Sequence, residues 1–193
     1  DIQSNGITET VKRAYSIASS PLNKRYFDLT LQITPGGKIT TYFFNQVKIG
    51  DVFEVGMPMG KFTYSEDLGK NIVLIAGGSG VVPLMCIMRY CADKKLDTKI
   101  TLIYSAKTEE HIIYRQELKE LEKNNKNVRI VYTLTRAEEK WKGKNGRIDK
   151  NLLQENINND AIYFICGPLE FIRQITENLK ESGIEKIKRD VWG

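Results

Sequence analysis

The chain has 193 residues, enough for one large domain or two small ones, each with a core of its own. An apolar fraction of 41% and a charged fraction of 27% exclude a disordered or collagenous chain. Its three cysteines, Cys86, Cys91 and Cys166, form no CxxC pair, which excludes a disulfide scaffold, a zinc site and an iron–sulfur cluster and predicts cytoplasmic thiols. The net charge of +5 reads first as surface solubility, and second as attraction for an acidic redox partner or a nucleotide phosphate. Clustered arginine and lysine in a recognisable module are missing, so nucleic-acid binding is not expected. Apolar runs such as 72–76 are strand-length, so no membrane span is expected either. No signal peptide is visible, and because the first residue is Asp1 rather than Met, the sequence is expected to start inside a longer chain or after processing.

The first third reads as β structure. Residues 26–34 alternate and are rich in Phe, Leu, Ile and Thr, and Pro35-Gly36-Gly37 is a turn signal. Residues 39–44 and 52–55 predict two further short strands, with Gly50-Asp51 as the turn before the latter. From about Asn71 the rhythm changes. Residues 72–76 form a continuous apolar run, as in a strand buried on both faces. A glycine-rich turn follows, then a mostly apolar helix over 83–93. Strands are predicted at 100–104, 128–134 and 161–165. Tyr114, Leu118 and Leu121 mark one helix, and Phe171, Ile172, Ile175 and Leu179 mark another. The polar, lysine-rich stretch 138–145 reads as a solvated loop. Repeated strand–helix alternation predicts a parallel α/β sheet. Two domains are expected, 1–68 and 69–193.

Three motifs carry chemistry. Gly77-Gly78-Ser79-Gly80-Val81-Val82-Pro83 follows a buried strand and opens a helix. Glycines admit a sharp turn and close approach of a phosphate to the backbone, the helix start offers unpaired N–H groups, and Pro83 suits a first turn. Three glycines favour a nucleotide site over a plain tight turn, although the pattern is not GxGxxG. Cys166-Gly167-Pro168 follows the last predicted strand and so falls on the same rim, because ligands of parallel sheets bind at the carboxyl ends of strands. Taken alone it reads better as a buried cysteine followed by a turn. Arg13-Ala14-Tyr15-Ser16 offers a phosphate partner, a stacking ring and a hydroxyl. Strand alternation puts Arg13 and Tyr15 on one face and Ser16 on the other, unless the strand bends.

In this order, RAYS, GGKIT, GGSGVVP and CGP resemble the ferredoxin–NADP reductase superfamily over nearly the whole chain. The resemblance implies a flavin-binding antiparallel β-barrel over 1–68, N-terminally truncated here, followed by a nicotinamide-binding α/β domain over 69–193. It implies FAD and NAD(P)H as cofactors. Arg13 would contact the flavin pyrophosphate, Tyr15 would pack on the flavin, and Ser16 would hydrogen-bond near the reactive nitrogen. Gly37, Lys38, Ile39 and Thr40 would form a second flavin-phosphate segment. Gly77, Gly78, Ser79, Gly80 and Pro83 would hold the nicotinamide pyrophosphate. Cys166, Gly167 and Pro168 would sit beside the nicotinamide, making Ser16 and Cys166 the candidate catalytic side chains. Thr108, ending YSAKT at 104–108, would line the ribose side. Trp192 would shield the flavin or simply pack against the last strand. Arg136, with Lys140, Lys142 or Lys144, would read the 2′-phosphate of NADP or else belong to a solvated basic loop. His111 reads as a surface residue.

The expected function is that of an NAD(P)H-dependent flavoprotein reductase passing electrons to a separate acceptor, a ferredoxin-like protein or a larger complex. A non-autonomous electron-transfer subunit of a larger redox complex, and an NAD(P)-binding module without flavin, are the alternatives.

Overall fold

Seven residues, Asn71–Gly77, form the central strand of the molecule, and all but the first are buried. The computed structural model describes residues 2–4, 7–9, 11–34 and 36–192. Two short strands, β1 (Ile2–Ser4) and β2 (Ile7–Glu9), pair antiparallel. Helix α1 spans Lys38–Asn45. Then come β3 (Asn71–Gly77), α2 (Val81–Asp93), β4 (Lys99–Ala106), α3 (Arg115–Asn124), β5 (Val128–Leu134), β6 (Lys144–Asn145), α4 (Lys150–Gln154), β7 (Ile162–Pro168), α5 (Leu169–Glu181) and β8 (Ile187–Trp192). Strands β3 to β8 build one parallel sheet in the order β6-β5-β4-β3-β7-β8.

The apolar run of β3 follows from this position. Successive side chains point to opposite faces. Ile72, Leu74 and Ala76 meet Leu84, Met85 and Met88 of α2 and Leu118 of α3. Val73 and Ile75 meet Leu152 of α4 and Ile172, Ile175 and Leu179 of α5. A strand covered on both faces has no side that can be polar. Two aromatic residues from the preceding segment close the first of these layers. Phe62 stands edge-on to Phe164 with ring centroids 5.5 Å apart, and Tyr64 donates its hydroxyl to the Gly69 carbonyl at 3.0 Å.

From β3 the chain winds outward through β4 and β5. It then crosses back to lay β7 on the other side of β3, with β8 outside it. The carboxyl ends of β3 and β7 are therefore where the winding direction changes and where a crevice opens.

The first 68 residues differ from expectation. The expected partial antiparallel barrel is not formed among the described residues. Of 26–34, only Leu29 makes a bridge, to Ile17, and 52–55 has no regular structure. Phe27, Ile33, Val52, Phe53 and Val55 are exposed, so these segments have no partner strand over their apolar sides. Residues 39–44 form α1 instead of a strand. The Gly37 N–H donates to the Thr34 carbonyl at 2.9 Å and the Thr41 N–H donates to the Gly37 carbonyl at 3.0 Å, a turn that starts a helix and overrides the β propensity of its Thr, Tyr and Phe. Pro35 of the expected turn lies outside the described residues. The stretch 138–145, expected as loop, ends in the two-residue β6, paired with Thr133 and Leu134. Among the described residues no helix is long and apolar enough to cross a membrane, and no group of three or more His, Cys, Asp or Glu residues could hold a metal ion.

Candidate functional site

Glycines bring the two ends of the crevice into backbone contact. Gly78 adopts φ +57°, which turns the chain from β3 into a short 3-10 turn, Gly78–Gly80, that leads into α2. A Cβ on Gly80 would lie 2.1 Å from the Cys166 carbonyl oxygen and 2.8 Å from the Gly167 nitrogen. A Cβ on Gly77 would meet the Phe171 ring at 3.2 Å, and one on Gly167 would meet the same ring at 2.7 Å. Gly77, Gly80 and the Cys166-Gly167 peptide thus form one surface over Phe171. No side chain caps the start of α2, and Pro83 sits in its first turn.

Beside this rim lies a cleft of about 630 Å³. Arg13, Ala14, Tyr15 and Ser16 all line it, because residues 11–16 form no regular strand and do not alternate between faces. Gly37, Lys38, Ile39 and Thr40 also line it, at the start of α1. A Cβ on Gly37 would lie 2.7 Å from Thr40 Oγ1, and no side chain caps this helix. The start of this helix lines the cleft, and the first turn of a helix suits an anion. Ser79, Val82 and Pro83 from the sheet side complete the wall. Two helix starts, a nearby exposed Arg13 and glycine-lined backbone fit a dinucleotide with phosphates held by backbone and rings held by side chains.

Cys166 is buried, and its thiol stands 3.9 Å from Asp190 Oδ2 on the neighbouring strand β8. Burial, followed by the Asp190 charge, pushes the thiol up to about 12. Cys166 is thus a neutral donor at neutral pH and not a thiolate nucleophile. Burial also raises the Asp190 carboxyl. Thr108 Oγ1 and His111 Nδ1 lie 2.7 Å apart in an exposed turn. Arg136 is exposed at the end of β5, its N–H donating to the Lys107 carbonyl at 2.8 Å. Trp192 closes β8 opposite Pro168, but its side chain lies outside the described residues.

Of the residues named from sequence, Arg13, Tyr15, Ser16, Gly37, Lys38, Ile39, Thr40, Ser79 and Pro83 converge on the cleft. Gly77, Gly78, Gly80, Cys166, Gly167 and Pro168 gather on the adjoining rim, and Thr108 and Arg136 line neither. Sequence reasoning missed Phe171 as the floor of the rim and Asp190 as the neighbour of Cys166. In the sequence Phe171 stands only as one apolar position on a helix face. The register that brings Asp190 to Cys166 carries no local sequence signal.

The sequence profile of the oxidoreductase FAD-binding domain matches residues 1–64, and that of the oxidoreductase NAD-binding domain matches residues 74–177. The chain belongs to the ferredoxin–NADP reductase-like family of oxidoreductases. It is 35% identical over 175 residues to an NADH-cytochrome b5 reductase-like protein of Arabidopsis thaliana, which covers 89% of this chain and 53% of the relative. It is 30% identical over 202 residues to NADH-cytochrome b5 reductase 1 of Aspergillus terreus, covering 97% of this chain and 68% of the relative. Among solved structures it resembles the cytochrome b5 reductase domain of Ulva prolifera nitrate reductase, with a TM-score of 0.84, 28% identity, and coverage of 95% of this chain and 80% of that one. The chain spans about half the length of the first curated relatives it matches, 53% and 58% of two of them. Family membership accounts for the order of the motifs: a flavin-side segment first, then a nicotinamide-side sheet.

Proposed function

We propose that this chain forms part of an NADH-dependent flavoprotein reductase that brings a nicotinamide to bound FAD and passes the electrons to a separate acceptor. The observation that carries this reading is the shared cleft: Arg13, Tyr15 and Ser16 and the start of α1 face Ser79, Val82 and Pro83 of the nicotinamide-side turn. When bound, the pair supplies hydride transfer between nicotinamide and flavin. The protein binds, orients and excludes water. Arg13 and the first N–H groups of α1 hold flavin phosphate. Tyr15 packs against the flavin, and Ser16 donates its hydroxyl to it. Gly77, Gly78, Ser79, Gly80 and the start of α2 hold the nicotinamide pyrophosphate. Cys166, neutral and fixed by Asp190, lines the nicotinamide end with Gly167 and Pro168, and Thr108 lies on the ribose side.

In this reading residues 1–68 belong to the flavin-binding domain and 69–193 to the nicotinamide domain. The acceptor is a separate redox protein, and relatives named NADH-cytochrome b5 reductase point to a cytochrome b5. A net charge of +5 suits an acidic partner of that kind. Three free thiols suit a reducing, cytoplasmic setting.

The choice of NADH rests on charge. Lys140 Nζ is held by Glu138 at 2.9 Å and Lys144 Nζ by Glu155 at 2.9 Å, and Glu109 and Glu110 add negative charge near Lys140. A 2′-phosphate beside Arg136 would have to compete with these carboxylates. Initial rates of ferricyanide reduction are expected to favour NADH over NADPH by about tenfold or more in kcat/KM. Equal or reversed preference would assign Arg136 to phosphate recognition. Failure of the isolated protein to reduce ferricyanide, with recovery on adding a partner, would favour the electron-transfer subunit instead.

A further inference from the structure

One arginine outside the cleft ties its two sides together. Arg89 lies on α2, six residues after Pro83, or about 9 Å along the helix. Its Nε and Nη2 donate to both carboxylate oxygens of Glu117 on α3, each at 2.7 Å. Nη1 donates to the carbonyl of Ala18 at 2.9 Å and lies 3.7 Å from Asp28 Oδ2. The guanidinium also stands over the Tyr114 ring, 5.1 Å from its centroid. The Tyr114 hydroxyl in turn meets the Thr30 hydroxyl.

Both flavin-side contacts fall on one closed loop. Ile17 bridges Leu29, the Ala18 N–H donates to the Asp28 carbonyl at 2.8 Å, and the Asp28 N–H donates to Ser19 Oγ at 3.0 Å. Ala18, Ser19 and Ser20 are buried. The two feet of this loop, Ser16 and Thr30, line the cleft. Tyr114 terminates the turn that carries Thr108 and holds φ +60°, a left-handed conformation that costs a non-glycine residue free energy and persists only where surroundings fix it. Four partners around one guanidinium are more than a surface ion pair requires, and the planar fork of arginine is what satisfies them together.

We propose that Arg89, clamped by Glu117 and stacked on Tyr114, is a positioning residue that fixes the loop 16–30 against α2 and so sets the flavin-side wall of the cleft relative to the nicotinamide-side wall. This rests on the flavin–nicotinamide reading above, since the spacing of the two walls is what hydride transfer depends on. Arg89 acts through Ala18, Thr30 and Pro83 rather than by touching a ligand. Misplacement of reacting groups by a fraction of an ångström is costly, so small slack in the loop has a large effect on rate.

Two variants test this, Arg89→Lys, which keeps the charge and loses the fork, and the milder Tyr114→Phe, which loses only the contact to Thr30. Hydrogen exchange in the protein without ligands is expected to quicken about fivefold or more at the Ala18 and Asp28 amides in Arg89→Lys, while the amides of β3 and β4 stay unchanged. Rapid mixing of the flavin-loaded variants with NADH is expected to give a limiting rate of flavin reduction lower by about tenfold or more in Arg89→Lys, with the NADH dissociation constant kept within about twofold. Tyr114→Phe is expected to show the same split at smaller size. Unchanged exchange at Ala18 and Asp28, or quickened exchange with an unchanged limiting rate, would overturn the proposal. So would quickened exchange throughout the sheet, which would make Arg89 a general stability residue. If the unsubstituted protein itself is not reduced by NADH, the functional reading fails, and the exchange result still decides whether Arg89 holds the loop.

Discussion

Replacing Gly80 by alanine is expected to abolish detectable nicotinamide binding and to lower stability by about 3 kcal/mol or more. The new Cβ would stand 2.1 Å from the Cys166 carbonyl oxygen and 2.4 Å from its carbonyl carbon. Both are backbone atoms in the middle of the sheet, and Cys166 is register-locked to Ala76 on one side and Asp190 on the other. Neither strand can yield by itself. The collision is relieved only by lifting the Gly78–Gly80 turn away from β7, which parts the two halves of the rim. Gly78→Ala provides the control. Nothing lies within 4 Å of a Cβ there, and the cost is that of φ +57° for an L residue, about 1 kcal/mol. Thermal unfolding together with quenching of NADH fluorescence checks both. Near-native binding in Gly80→Ala would mean that the rim is not the nicotinamide site.

Arg13→Ala is expected to act on the other half of the cleft and to separate binding from folding. Arg13 is exposed, and among the described residues its one protein hydrogen bond runs from Nη1 to the carbonyl of the adjacent Lys12, at 2.8 Å. A bond to a neighbour on an exposed segment contributes little to stability, so unfolding of the ligand-free protein should change by less than about 0.5 kcal/mol. A charge-assisted bond to phosphate is worth about 1.5–3 kcal/mol, which corresponds to a flavin dissociation constant raised about tenfold to a hundredfold. Flavin fluorescence titration measures this directly. An unchanged constant would remove Arg13 from the phosphate site and leave the start of α1 to hold it alone.

The α/β half was legible because it is built from local rules. An apolar run buried on both faces, a glycine turn and an apolar helix repeat in order, and each is a short-range signal. Residues 39–44 misled because β-branched and aromatic side chains favour strands only where a strand partner exists, and the Thr34–Gly37 turn starts a helix there. The site was legible in part. Glycine and proline motifs announce backbone approach wherever they occur. Asp190, Phe171 and Arg89 were silent because each acquires its role from a neighbour far along the chain: Cys166 for Asp190, Gly77 for Phe171 and Ala18 for Arg89. Arg89 sits within a helix that reads as mostly apolar, and its purpose emerges only when the loop 17–29 folds onto it.

In the proposed function one cleft serves both flavin and nicotinamide. The most direct test is anaerobic addition of one equivalent of NADH to the flavin-loaded protein, followed at the oxidised flavin absorbance band. Rapid and nearly complete bleaching is the expected result. Retention of flavin with no bleaching, while NADH binding is seen by fluorescence quenching, would contradict the account and leave two ligands bound without chemistry between them.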